Sequence, residues 1–419
     1  MSFITNIRSV AKYESKILVR SWFFRIFTLL AVVFLGFFNF AMMLMEDNFG
    51  LWFAKSVSSN IPYLNLLLLN TGQAVVAVFL SSEFLKRDKK LDTSEVFYVR
   101  PLSNAEYVVG KIWGNLRVFL FLNLLVLAIV LAFNFMASGV TVDLPAYLVY
   151  FFLISIPTLI FIIGLSIFLM LLLKNQALTF ILLLGYIGLT LFYIQDKFYY
   201  LFDYMVYNLP LFKSTIVGFS NLELILNHRA IYFFAGLGFI FFTIFLFKRL
   251  PNARRSHYPW LFLSFCMFLL MVTAGFRHVR SILWEGEMRA LYTSINNKYV
   301  YEPKMAIDYY DISVEQKSET IRSVVGMEGT ALAASEVFIF CLNPGLRVEE
   351  VKDGEKSLNF KREEQILAVD FGRKIEKGDI DLLIGASSKD IRLKDSIRIT
   401  ENAWIDGRDR SFYGKVEVK

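Results

Sequence analysis

The stretch KRDKKLDTSEVFYVRPLSNAEYVVGKIWGN, residues 86–115, is the longest polar run in the first half of the chain. An apolar block long enough to cross a bilayer lies on each side of it. Its own signals are helical. Asp92 can cap a short helix, with Glu95 three residues on. Pro101 pushes Arg100 out of the helical region, so that helix ends by about Val99. Ser103-Asn104-Ala105-Glu106 is a capping box that starts a second helix, through Tyr107, Val109 and Ile112 into the next apolar block. The first helix offers Val96, Phe97 and Val99 with charges around them. An apolar tip rimmed by charge and held between two spans suits docking to a cytosolic partner. A helical loop packed on its own bundle is the alternative.

Outward from this insert, the chain of 419 residues is 56% apolar and only 19% charged, against about 45–50% and about 25% for ordinary soluble domains. Charge is sparse before about residue 277 and dense after it. The fold class predicted is a polytopic α-helical membrane protein of about seven transmembrane helices with a C-terminal, mostly-β soluble domain. The predicted spans cover 22–45, 61–82, 116–137, 146–173, 177–195, 230–247 and 259–276. Residues 1–21 are expected as an amphipathic interfacial helix, 22–276 as the membrane domain with its cytoplasmic loop at 83–115 and external loop at 196–229, and 277–419 as the β-rich domain.

The net charge of +7 resides in short loops, which is a topology signal and argues against nucleic acid as a partner. Arg8, Lys12, Lys16 and Arg20 precede span one; Lys86, Arg87, Lys89, Lys90, Arg100 and Lys111 fall between spans two and three; Lys248, Arg249, Arg254 and Arg255 fall between six and seven. The alternate loops hold only Lys55, Lys197, Lys213 and Arg229. Positive-inside then puts the N-terminus and the insert in the cytoplasm, and seven spans put the C-terminal domain on the other side of the membrane. In the first twenty residues the four basic side chains form a stripe, with Phe3, Ile7, Ala11 and Leu18 on another face, a pattern that suits anionic membrane lipids.

Span two holds Asn65, Asn70 and Gln73, polar groups that mark a membrane path or interface, or else glue between helices. Apart from Arg25 at one end, no predicted span carries a charged residue near its middle, which argues against an ion-coupled carrier. The external loop has Tyr199, Tyr200, Tyr204 and Tyr207 at interface level, and short interfacial or re-entrant helices are expected there. Cys266 and Cys341 read as two buried small hydrophobes.

The tail is β-rich in MAIDYYDISV, SEVFIFCL, QILAVDF and DIDLLIG, with a type II turn expected at Asn343-Pro344-Gly345 and a hairpin at Asp353-Gly354. It has no chemistry of its own. His228, His257 and His278 all precede its first β-rich run, and zinc-peptidase and serine-hydrolase motifs are absent, so no catalytic residue, metal or cofactor is expected. No P-loop is present either; VVGKIWG at 108–114 lacks the earlier glycine and has Ile112 where a hydroxyl is needed.

RDKKLDTSEVFYVRPLSNAEYVVGK resembles the first cytoplasmic loop of ABC-2 type ABC transporter permeases, and the resemblance covers about residues 1–247. It implies the membrane subunit of an exporter in the bacterial inner membrane, driven by a separate ATPase subunit that binds the ATP. Glu95, Val96, Phe97, Arg100 and Pro101 would couple to that subunit, and a second permease copy would complete the transporter. FCLNPGLRVEEVKDGEKSLNFKREEQILAVDF is similar to the N-terminal β-domain of M1 metallopeptidases, an arrangement that resembles some Bacteroidetes-type permeases. The peptidase's zinc motif is missing, so the resemblance brings no peptidase activity. Two other expectations stand beside the transporter: a membrane-anchored binding or scaffold protein, and the remnant of a permease–peptidase fusion.

Overall fold

The computed structural model describes residues 3–44, 57–90, 102–136, 142–209, 211, 213–214, 218–219, 221–247, 258–317, 320–377 and 379–388. Its helices are α1 (Phe3–Arg20), α2 (Trp22–Leu44), α3 (Asn60–Lys90), α4 (Asn104–Met136), α5 (Leu144–Tyr150), α6 (Ile156–Leu173), α7 (Gln176–Leu189), α8 (Leu222–Leu246) and α9 (Tyr258–Lys298). A π-turn, Phe151–Ser155, joins α5 to α6 in one continuous rod, and a second, Thr190–Ile194, extends α7. Seven of these rods are long and apolar enough to cross a membrane. The breaks between them are capped. The Asn175 side chain accepts from the amides of Ala177 and Leu178 to start α7, and Lys174, in the left-handed region, ends α6. The capping box forms as read: Ser103 N–H donates to Glu106 at 2.6 Å and Glu106 N–H donates to Ser103 Oγ at 3.1 Å.

One end of the bundle carries α1, which lies along the first half of α4. A Cβ on Gly110 would come within 2.7 Å of Val10 Cβ, and one on Gly114 within 2.9 Å of the Ala11 carbonyl, so these two glycines set the approach. The stripe of Arg8, Lys12, Lys16 and Arg20 is exposed, as the amphipathic pattern requires. The buried face differs from that pattern, because it includes Glu14 and Ser15 beside Ala11 and Leu18.

The opposite end carries residues 195–221. The expected interfacial or re-entrant helices are not found among the described residues there. Instead there is a three-residue turn, Phe198–Tyr200, and a two-strand ribbon of β1 (Lys213–Ser214) and β2 (Gly218–Phe219). Tyr204 is not an interface residue: it is fully buried among Phe161, Tyr186 and Tyr232.

α9 has 41 residues, about 62 Å at 1.5 Å per residue. It packs along α8 as far as His278, whose Nε2 lies 2.8 Å from the Tyr199 carbonyl at the far end of the bundle. The helix then continues past the expected boundary at 276–277, to Lys298. Nothing in RHVRSILWEGEMRALYTSINNK breaks a helix: there is no proline and a single glycine.

The β-domain has a five-stranded antiparallel sheet in the order β3 (Met305–Lys317), β4 (Thr320–Ala331), β10 (Asp379–Ser388), β6 (Arg347–Asp353), β7 (Lys356–Ser357). A three-stranded sheet follows the order β5 (Ser335–Cys341), β9 (Ile366–Ile375), β8 (Asn359–Glu363). Met327 and Val351 of the first sheet share a core with Phe338, Leu367, Val369 and Phe371 of the second. The helix is fixed to this domain by Ile295 against Ile339 and Ile366, by Lys298–Glu363 at 3.0 Å, and by the Tyr299 hydroxyl on Glu363 at 2.6 Å. The Tyr299 hydrogen bond and the Lys298 charge hold the Glu363 carboxyl below its usual range.

Three local readings change. Gly345 is not in the left-handed region, so the turn is not type II; the Asn343 side chain accepts from Gly345 N–H at 2.9 Å and makes the turn instead. At the hairpin Gly354 does take a positive φ of 59°. Cys266 is half-buried and Cys341 exposed, the latter at the last position of β5, so neither is a core residue.

Candidate functional site

Two polar constellations lie inside this bundle. In the first, Asn39 of α2 and Asn65 of α3 exchange hydrogen bonds of 2.7 and 3.1 Å. Each also donates to the carbonyl four residues back on its own helix. One turn and more along α3 is a separate ring. Asn70 donates to Asn123 at 3.2 Å, Asn123 donates to Gln73 at 2.9 Å, and Gln73 donates back to Asn70 at 3.4 Å. Ser155, in the π-turn, donates to Asn123 at 2.8 Å. All four side chains are buried. The ring joins three rods, and its three amides satisfy one another, which a low-dielectric setting demands.

Asn65, Asn70 and Gln73 are therefore all inside the bundle, but Asn65 belongs to a different pair from the other two. Their partners Asn39, Asn123 and Ser155 come from other helices. The only trace of these in the sequence is a lone polar letter in an apolar run, as in FFNFA and FLNLL. Asn123→Leu should cost about 1–2 kcal/mol, since it strips partners from three buried groups. Asn39→Leu removes one partner and should cost less. Thermal unfolding of the purified variants in detergent orders the two.

The second constellation closes the far end. Phe198, Tyr199 and Tyr200 take φ of 51°, 58° and 62°, three successive non-glycine residues in the left-handed region. Two of their carbonyls are held from the helices: His278 Nε2 on Tyr199 at 2.8 Å, His228 Nε2 on Tyr200 at 3.0 Å. The two imidazole rings lie 5.1 Å apart. Further along, the Tyr150 hydroxyl donates to the Leu211 carbonyl at 2.7 Å, Ser59 to Lys213 at 2.7 Å, and the Tyr232 hydroxyl to Leu201. Lys213 pairs with Asp143. Asp203 folds the segment on itself by accepting from the amides of Asn208 at 2.8 Å and Tyr207 at 3.0 Å. Burial pushes the Asp203 carboxyl up, and those amides together with Arg229 pull it back.

Arg229 organises this end. The topology count assigns it to a loop, but α8 begins at Leu222, which puts Arg229 two turns inside the helix and fully among other groups. Pro157 has no N–H to give the carbonyl of Leu153. Arg229 Nε donates to that carbonyl at 2.6 Å. The same guanidinium donates to Tyr204 O at 3.0 Å and to Thr158 Oγ1 at 2.8 Å. One side chain thus ties α8, the proline-containing rod and the closing segment together. The predicted span 230–247 starts too late: the helix begins at Leu222 and includes Arg229.

Glu95, Val96, Phe97, Arg100 and Pro101 lie outside the described residues. Among the described residues no group of three or more His, Cys, Asp or Glu side chains could hold a metal ion. The class defined is a helical bundle of seven membrane-length rods with a β-rich C-terminal region. Neither any protein-family model nor any curated protein matches the chain.

Proposed function

We propose that the chain is the membrane subunit of an ATP-driven exporter of ABC-2 type, with α1 and the 91–103 connection in the bacterial cytoplasm and the β-domain outside. A separate ATPase subunit would bind the ATP, and a second permease copy would complete the path.

The observation that carries this reading is the frame around the connection. α3 has 31 residues and α4 has 33, about 46 and 50 Å, well beyond a hydrocarbon core of about 30 Å. In this reading both project at the α1 end. There α4 starts in a formed capping box, and Asn6 of α1 donates to the box residue Glu106 at 2.8 Å. A push on residues 91–101 would reach α4 and α1 together. At the other end the closing segment would be the barrier that such a push has to open. The Asn70–Gln73–Asn123 ring, between α3, α4 and the π-turn, lies on the line between them.

Phe97→Asp should abolish co-purification of the ATPase subunit, while the variant still elutes as a folded membrane protein. Pro101→Ala, which frees Arg100 to become helical, should weaken it. Retained co-purification with Phe97→Asp would refute the docking role.

A further inference from the structure

Beyond His278, α9 runs through residues 279–298, about 30 Å at 1.5 Å per residue, and meets the β-domain at Tyr292 and Ile295. This stretch exposes Leu283 (46%), Trp284 (59%) and Leu291 (41%), with Met288 half-buried between them. Trp284, Met288, Leu291 and Ile295 are spaced four, three and four residues apart, the a/d spacing of a coiled coil. Among the described residues the last of them packs against the β-domain, while Trp284 and Leu291 are exposed.

Lipid is a poor cover for this stripe. Arg280, Glu285, Glu287 and Arg289 ring the same turns, and a hydrocarbon setting for four charges is costly. The charges instead match a second copy of the same helix. In a parallel pair, a residue just before one seam position faces the partner's residue five further on. Arg280 would then face the partner's Glu285, and the two-fold axis gives that contact twice. Within its own helix Glu285 has only a loose approach from Arg289, at 3.8 Å.

We propose that residues 279–291 of α9 pair with the same helix of a second copy as a short parallel coiled coil. Trp284, Met288 and Leu291 form its seam, and Arg280 pairs with the partner's Glu285. The proposal takes from the function above only that both copies share one orientation in one membrane.

The test uses the full-length protein in native membranes, with Cys266→Ala and Cys341→Ser as background. Trp284→Cys and Leu291→Cys, in the seam, should give about tenfold more disulfide-linked dimer on oxidation than Gly286→Cys and Ala290→Cys, which face outward. Arg280→Glu should lower the Leu291→Cys yield, and adding Glu285→Arg should restore it. Equal yields at all four positions, no dimer at any, or no rescue by the charge swap overturns the proposal. ATPase co-purification from the same membranes reads out the transporter assignment separately, so either can fail alone.

Discussion

Arg229→Leu is expected to destabilise the protein by several kcal/mol, since buried acceptors lose a charged donor at about 1–3 kcal/mol each. The leucine fills much of the space but leaves the carbonyls of Leu153 and Tyr204 and the Thr158 hydroxyl without this donor. Arg229→Lys should recover only part, because an ammonium cannot reach the same three acceptors from one plane. Pro157→Ala offers a sharper check. It returns an amide to the Leu153 carbonyl and so should offset about 1 kcal/mol of the Arg229→Leu loss. Thermal unfolding in detergent, followed by tryptophan fluorescence, measures all four variants. A loss below about 1 kcal/mol for Arg229→Leu would remove the guanidinium from its organising role.

Glu14 and Lys111 form the second large effect. Their ion pair is 2.7 Å long and the two side chains are 4% and 2% exposed. Neighbouring bonds share the α1–α4 seam: Ser15 Oγ donates to the Gly114 carbonyl at 2.6 Å and Arg117 Nη2 to the Ala11 carbonyl at 2.8 Å. Lys111→Met alone leaves the Glu14 carboxylate buried beside an apolar group, and should cost about 3–5 kcal/mol. The double change Glu14→Met with Lys111→Met removes both charges and should recover most of that loss. A double-mutant cycle by thermal unfolding gives the coupling directly. Single and double variants of equal stability would mean that the pair does not bolt α1 to α4.

Much of the bundle was legible in the chain, and the reason is local. Twenty apolar residues in a row leave a backbone no cheaper arrangement than a helix, and Ser103 with Glu106 announces its own start. In the tail, alternating β-branched and aromatic runs found β3, β5, β9 and β10. They did not find β4, TIRSVVGMEGTA, where Gly326 and Gly329 blur the pattern. There Gly329 admits the close approach of the Ala306 carbonyl, beside the irregularity in β3. The N-terminal helix was read from its exposed charges. Its buried face was not, since an ion pair with a residue 97 positions later (Glu14 to Lys111) has no local signature.

By itself, then, the sequence determined the number of long apolar rods, the capping box that starts one of them, the basic character of one set of loops and the β nature of the tail. Each follows from the chemistry of neighbours within a few residues. The tertiary structure alone decided which polar groups meet. It closed Asn70, Gln73 and Asn123 into a ring across helices. It carried Arg229 from an apparent loop to the carbonyl that Pro157 leaves free, and it ran α9 unbroken from the bundle into the β-domain. A buried polar group must find a partner, but the partner is chosen by packing in space, not by distance along the chain.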